Sequence, residues 1–169
     1  MDHGHLVGLA QRYGVAVASA ALVACLPLFG LIALAIKLES SGPVVFAQRR
    51  VGQEGRMFRM YKFRTMRDDA DAYAVAPNDL ADPRVTAVGR FLRRWSLDEL
   101  PQLANVLRGE MSLVGPRPEM PFLVVQYEPW QQRRLAVRPG LTGLWQVVGR
   151  KELPLHRHIE YDVYYVRHR

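Results

Sequence analysis

The sequence has 169 residues, enough for one domain with a buried core and at most an appendage. Its 23 basic and 16 acidic residues leave a net charge of +7, which points to an anionic partner: nucleic acid, phospholipid headgroups or a phosphorylated small molecule. Cys25 is the only cysteine and lies in an apolar run, so an intramolecular disulfide and a cysteine-based metal site are both excluded.

Residues 1–13 are polar. Gly14 to Ile36 then runs for 23 residues without a formal charge. At about 1.5 Å per residue that is roughly 34 Å of helix, against a bilayer core of about 30 Å. No small-residue cleavage site follows, because Lys37-Leu38-Glu39 comes next, so the run does not read as a signal peptide. It is apolar on every side, unlike a surface helix. Pro27 lies near its middle, where a missing N–H kinks a helix. Two membrane readings follow: a kinked single span, or a re-entrant helix-break-helix that enters and leaves on one face; a buried core helix is the soluble alternative.

Ser40 to Pro43 is a turn that ends this segment, which sets a boundary between residues 1–39 and 40–169. The stretch 44–63 predicts a β-hairpin about the turn Gly52-Gln53-Glu54-Gly55, with Met57, Arg59, Tyr61 and Phe63 on one face and Phe58, Met60 and Lys62 on the other. Asp68 to Asp82 is acidic and reads as a turn or two of helix followed by an exposed loop. A short helix is expected around Gly89 to Arg93. Residues 110–114 read as extended and Gly115-Pro116-Arg117-Pro118-Glu119 as rigid. An arginine held between two prolines suits an anion clamp as well as a stiff turn. Residues 119–136 read as helical with a break near Pro129, Arg138 to Gly143 as a turn, Leu144 to Val148 as a strand, and 155–168 as a final helix. His156 and His158 read as surface residues rather than metal ligands.

The stretch with most chemistry is Arg93 to Leu103, RRWSLDELPQL. Ser96 and Glu99 have the spacing of a capping box, which would start a helix running to Gly109. Pro101 would then fall past the first turn, where its missing N–H costs a helix bond. A helix starting nearer Pro101 instead frees Asp98 and Glu99. Adjacent residues do not share a helix face, so the two carboxylates would meet different partners, one attacking and the other holding a metal. Carboxylates hold hard cations such as Mg²⁺ together with substrate phosphates. Arginines stabilise charge on a transferring phosphoryl group, and twenty of the 23 basic residues are arginine, the lysines being Lys37, Lys62 and Lys151. No Walker loop, GxSxG, HExxH or paired CxxC is present. A reaction on phosphates at a membrane surface is the function these residues suggest.

Five stretches carry more: KLESSGPVVFAQRRVG at 37–52, MYKFRTM at 60–66, DPRVTAVGRFLRRWSLDELPQLANVLRGEMSLVGPRPE at 82–119, RPGLTGLWQVVGR at 138–150 and YDVYYV at 161–166. In kind and order they closely resemble the bacterial sugar transferases, monotopic phosphoglycosyl transferases that act on polyprenyl phosphate. The resemblance implies an α+β fold: a small, mostly helical catalytic domain with a β-hairpin, preceded by a Pro27-kinked re-entrant membrane helix. It implies transfer of a sugar 1-phosphate from a UDP-sugar to polyprenyl (undecaprenyl) phosphate, with release of UMP. Carried over, Asp98 is the nucleophile, Glu99 helps hold Mg²⁺, Arg93 and Lys62 contact phosphate, and Arg117 takes the nucleotide end of the donor. It places the protein at the bacterial inner membrane with its catalytic domain on the cytoplasmic face, and a homodimer there is compatible with it. Relatives often have Ser-Pro at the kink where this chain has Leu26-Pro27, and they usually continue past a segment like YDVYYV, whereas this sequence ends at Arg169. Two other readings have distinct signatures. A catalytically idle anchored module binding anionic lipid or a partner enzyme would be indifferent to Asp98→Asn. A nucleic-acid binder fits poorly, because the arginines are scattered among glycines and prolines.

Overall fold

The computed structural model describes residues 3–70, 82–148 and 158–168. Most of the predicted acidic loop, the start of the predicted final helix and His156 lie outside them. The chain opens with two helices, α1 (His3–Ala24) and α2 (Leu26–Glu39), bent by 59° at Cys25. Pro27 explains the break, since without an N–H it leaves the carbonyl four residues earlier without its helical donor. Cys25 itself keeps helical dihedrals, donating to the Ala21 carbonyl at 2.9 Å and accepting from Phe29 at 2.9 Å, so the path bends without unwinding. Among the described residues no single helix is long and apolar enough to cross a membrane; the bent pair is, by length and composition.

The apolar run has two jobs. Ala18 of α1 is buried against Phe58, Met60, Leu103, Val106 and Met111. Ile32 and Ile36 of α2 pack with Phe63 and Leu92, and the Phe29 ring meets Phe63 edge-on at 5.2 Å. Burying one such aliphatic side chain is worth about 1.5–3 kcal/mol. Tyr13, Val17, Val23, Leu26, Leu31, Leu34 and Leu38 face outward and stay exposed.

The hairpin forms as predicted. β1 (Val45–Val51) pairs antiparallel with β2 (Met57–Phe63), Gln48 opposite Met60. Glu54 and Gly55 turn the chain with φ of 56° and 76°. Phe58 and Met60 are buried and Met57 and Arg59 exposed, as the alternation requires. Phe63 departs from it, being buried because α2 covers the other face at that end.

The central stretch differs from the capping-box reading. Helix α3 (Ala87–Trp95) ends at Ser96, which takes a left-handed conformation (φ 60°) and makes no capping bond with its side chain. A 3-10 helix, Leu97–Gln102, follows and then α4 (Leu103–Leu107). Pro101 lies inside the 3-10 helix and ahead of α4, so its absent N–H takes no bond from α4.

The last third holds most of the corrections. β3 (Ser112–Val114) is paired in parallel with β4 (Gly140–Thr142), where a simple turn was expected. Glycine permits this: a Cβ on Gly140 would lie 2.1 Å from the Gly115 nitrogen, and one on Gly143 would lie 2.1 Å from the Gly115 oxygen. The chain between them forms α5 (Pro121–Val124), then a 3-10 helix, Gln131–Ala136, with the break near Pro129 as expected. Leu144–Val148 is a short helix, α6, and not a strand. Its β-favouring residues are overruled by local bonds, Val147 N–H to the Gly143 carbonyl at 3.1 Å and the Gln146 side chain to the Leu141 carbonyl at 2.9 Å. α7 (Glu160–His168) closes the fold, with Ile159 just before it and its own Val163 packed on Tyr127.

Candidate active site

The 3-10 helix sets the site. With three residues per turn, Asp98 and Glu99 leave it in different directions, and both are buried. Glu99 points to β2 and to the Gly115–Glu119 loop. Its Oε1 accepts from Lys62 Nζ at 3.0 Å and from the Arg117 guanidinium at 2.8 Å, while among the described residues Oε2 has only a contact at 3.5 Å to Arg117. Asp98 Oδ2 lies 4.0 Å from Lys62 Nζ. Four sequence-predicted residues, Lys62, Asp98, Glu99 and Arg117, therefore converge. Arg93, on the last turn of α3, lies near them: its Nε donates to Thr65 Oγ1 at 2.9 Å, and it feels the charge of Asp98. Pro27 is on another element, at the helix bend.

The charges are strongly coupled. Burial pushes the Glu99 carboxyl up, but the charges of Arg117 and Lys62 and their hydrogen bonds outweigh it and hold the group well below the usual carboxylate range. For Lys62 burial wins over Glu99 and Asp98, so its ammonium sits below the ordinary lysine value. Arg117 goes the other way: burial lowers it, and Glu99 more than restores it. Burial also lowers Arg93, opposed by the charge of Asp98.

A second layer holds Arg117, and sequence reasoning missed most of it. The carbonyls of four successive residues are all taken. Pro116 accepts from Gly140 N–H at 2.8 Å, Arg117 from the Arg134 guanidinium, Pro118 from Arg50 at 3.4 Å, and Glu119 from Val51 N–H at 3.0 Å. Arg50 also meets the Glu119 carboxylate at 3.2 Å, and burial lowers its pKa to about 10. Arg134 is 2% exposed and donates besides to Tyr127 Oη and to Asp162, itself 1% exposed. Burial raises the Asp162 carboxyl, opposed by Arg134. The one signal for this pair was an acid set among apolar and tyrosine residues in YDVYYV, with nothing in the sequence to say which arginine it meets.

Chemically, the arrangement offers one carboxylate neutralised by two cations and a second beside them. Among the described residues no three His, Cys, Asp or Glu side chains cluster to hold a metal ion. Hard oxygen donors are nonetheless present, with Glu99 Oε2 the less engaged of its two.

The bacterial sugar transferase family describes residues 9–169 of this chain. Similar proteins include the exopolysaccharide production protein ExoY of Sinorhizobium fredii, 40% identical over 95% of this chain and 78% of that protein. The UDP-glucose:undecaprenyl-phosphate glucose-1-phosphate transferase of Caulobacter vibrioides is 52% identical over 85% of this chain and 55% of its own length. The undecaprenyl-phosphate glucose phosphotransferase of Komagataeibacter xylinus is 48% identical over 86% of this chain, which spans only 30% of that protein.

Proposed function

We propose, from the premise that this chain is a transferase and belongs to the bacterial sugar transferase family, that it moves a sugar 1-phosphate from a UDP-sugar to undecaprenyl phosphate. The observation that carries the proposal is the division of labour between adjacent carboxylates. Glu99 is paired with Lys62 and Arg117, while Asp98 is buried beside them, 4.0 Å from Lys62 Nζ.

In this reading an Asp98 carboxylate oxygen attacks the sugar-bearing phosphorus of the donor. The bond from that phosphorus to the bridging oxygen breaks, and UMP leaves with the electron pair. An acyl phosphate joins the sugar phosphate to Asp98. A phosphate oxygen of the polyprenyl acceptor then attacks the same phosphorus, the bond to Asp98 breaks, and polyprenyl diphosphate sugar is released. Lys62 and Arg93 neutralise charge at the phosphoryl group and Arg117 binds toward the nucleotide end. Glu99 fits a role in holding Mg²⁺, because Oε2 is a hard oxygen with a single long contact among the described residues, and substrate phosphates would supply further oxygen donors. Bound there, Mg²⁺ would supply neutralisation of diphosphate charge.

The exposed apolar side of the bent α1–α2 pair suits immersion in one leaflet, with both ends on the cytoplasmic face of the inner membrane. The site then stands at headgroup level, where the acceptor phosphate is.

The test is UMP release by the purified protein with Mg²⁺, undecaprenyl phosphate and a panel of UDP-sugars, with Asp98→Asn in parallel. Release that needs the lipid and disappears in the variant is expected. Release unaffected by Asp98→Asn removes Asp98 as nucleophile, and none from any donor returns the idle anchored module to the front.

A further inference from the structure

We propose that Glu39, the last residue of α2, is a positioning residue that ties the membrane-side helix to Arg93 of the site through α3. The inference rests on the reading of Arg93 as a phosphate contact.

The first N–H groups of a helix have no partner inside it. In α3 the local cap is Thr86, whose Oγ1 takes the Gly89 N–H at 2.9 Å. The two N–H groups ahead of it go to another element altogether. Glu39 Oε1 accepts from Ala87 N–H at 2.6 Å and Oε2 from Val88 N–H at 2.9 Å. The carboxylate sits at the helix end where negative charge is favoured, and it belongs to a residue 48 positions earlier in the chain.

The corner is closed from the other side. Arg64 donates to the carbonyls of Ser40 and Ser41 and to Ser40 Oγ, so the end of α2 is held by the residue following β2. Its neighbour Thr65 touches α3 in three ways. Its carbonyl accepts from Thr86 N–H at 3.1 Å, and it lies so close to Gly89 that a Cβ there would meet it at 2.1 Å. Its hydroxyl accepts from Arg93 Nε at 2.9 Å. The path from α2 to Arg93 thus runs through one bidentate carboxylate, two turns of helix and one hydroxyl. Beside the corner lies a cavity of about 690 Å³ lined by Glu39, Ser41, Asp68, Thr86 and Arg90. A movement of α2 in the lipid would reach Arg93 by this route.

The test combines a double-mutant cycle with hydrogen exchange, both on the full chain in detergent or nanodiscs. Glu39→Ala should lower kcat for UMP release roughly tenfold with donor KM nearly unchanged, since a small misplacement of a charged group is costly at the reacting centre. Glu39→Gln, which keeps an acceptor oxygen, should recover most of the rate. In an Arg93→Ala background Glu39→Ala should cost nothing further, because both changes remove one interaction. Additive losses in the two backgrounds would overturn the proposal. If Arg93→Ala by itself leaves UMP release intact, the assignment of Arg93 fails instead. Exchange does not depend on turnover: amides of residues 86–95 should lose protection in Glu39→Ala and keep it in Glu39→Gln, and unchanged protection in Glu39→Ala sinks the coupling whatever the activity. Ile159→Val, a buried change on the α7 side, controls for a general loss of stability, and it should leave the exchange of 86–95 as it is.

Discussion

The two arginines that flank the dyad are held in opposite ways. Arg117 projects from a loop whose carbonyls are fixed one after another by Gly140, Arg134, Arg50 and Val51, and its guanidinium is oriented by Glu99. Arg93 rides on the last turn of a short helix, steadied by Thr65 and, at the far end, by caps from Thr86 and Glu39. One side is a prebuilt socket. The other is a lever whose setting depends on distant bonds. Under the proposed function, fixed charge stands on the donor's side and adjustable charge beside the group that reacts.

The sharpest way to break this comparison is at the dyad itself. Asp98→Asn should lower UMP release at least about a thousandfold and abolish any phospho-sugar adduct seen by intact-protein mass spectrometry, as loss of a nucleophile does. Next comes the socket. Arg134→Met leaves Asp162 buried without its partner and Arg117 without its support, which should cost about 3–5 kcal/mol of stability and raise donor KM. Arg134→Met with Asp162→Leu should regain much of the stability, read by thermal unfolding, but not the donor KM; recovery of both would make the pair merely structural. Glu99→Gln should lower the rate roughly 10- to 100-fold and blunt the response to Mg²⁺ titration, the range typical of groups that orient a metal site.

The pH dependence of that last variant sharpens the same point. The Glu99 carboxyl is depressed in the folded protein, so its contribution to stability is present above the unfolded value of about 4.3 and is lost as pH falls through the folded value below it. The difference in stability between wild type and Glu99→Gln should therefore be constant above about pH 5 and shrink on acidification. A difference that holds steady down to pH 2 would mean that Glu99 is not poised by its two cations. The smallest effect is expected at the lever's local cap, where Thr86→Ala should cost about 1 kcal/mol in denaturant unfolding.

How far the sequence could be read depended on the range of the forces involved. The hairpin was legible because alternation and a glycine turn are local, and Phe63 escaped only because its burial is decided by α2. The Asp98-Glu99 pair was legible as chemistry, but the sequence left open whether Ser96 caps a helix: its spacing is right, and the left-handed turn it makes instead is set by how α3 joins the 3-10 helix. β4 and α6 were misassigned for a related reason. Each is short enough for backbone contacts among Gly115, Gly140 and Gly143 to outweigh propensity. Arg134 and Asp162, 28 residues apart, meet only through the packing of α7, and no local pattern announces them. Glu39 is the same case at greater distance.

The Pro116–Pro118 loop has one more consequence, for selectivity. Its two prolines carry no N–H and its carbonyls all face protein partners, so apart from the amide of Arg117 it offers an incoming molecule a single polar feature, the Arg117 guanidinium. A surface of that kind senses charge and is blind to pattern: it can register a diphosphate but cannot tell one base or one hexose from another. Under the proposed function, the choice among donors is therefore written outside this loop.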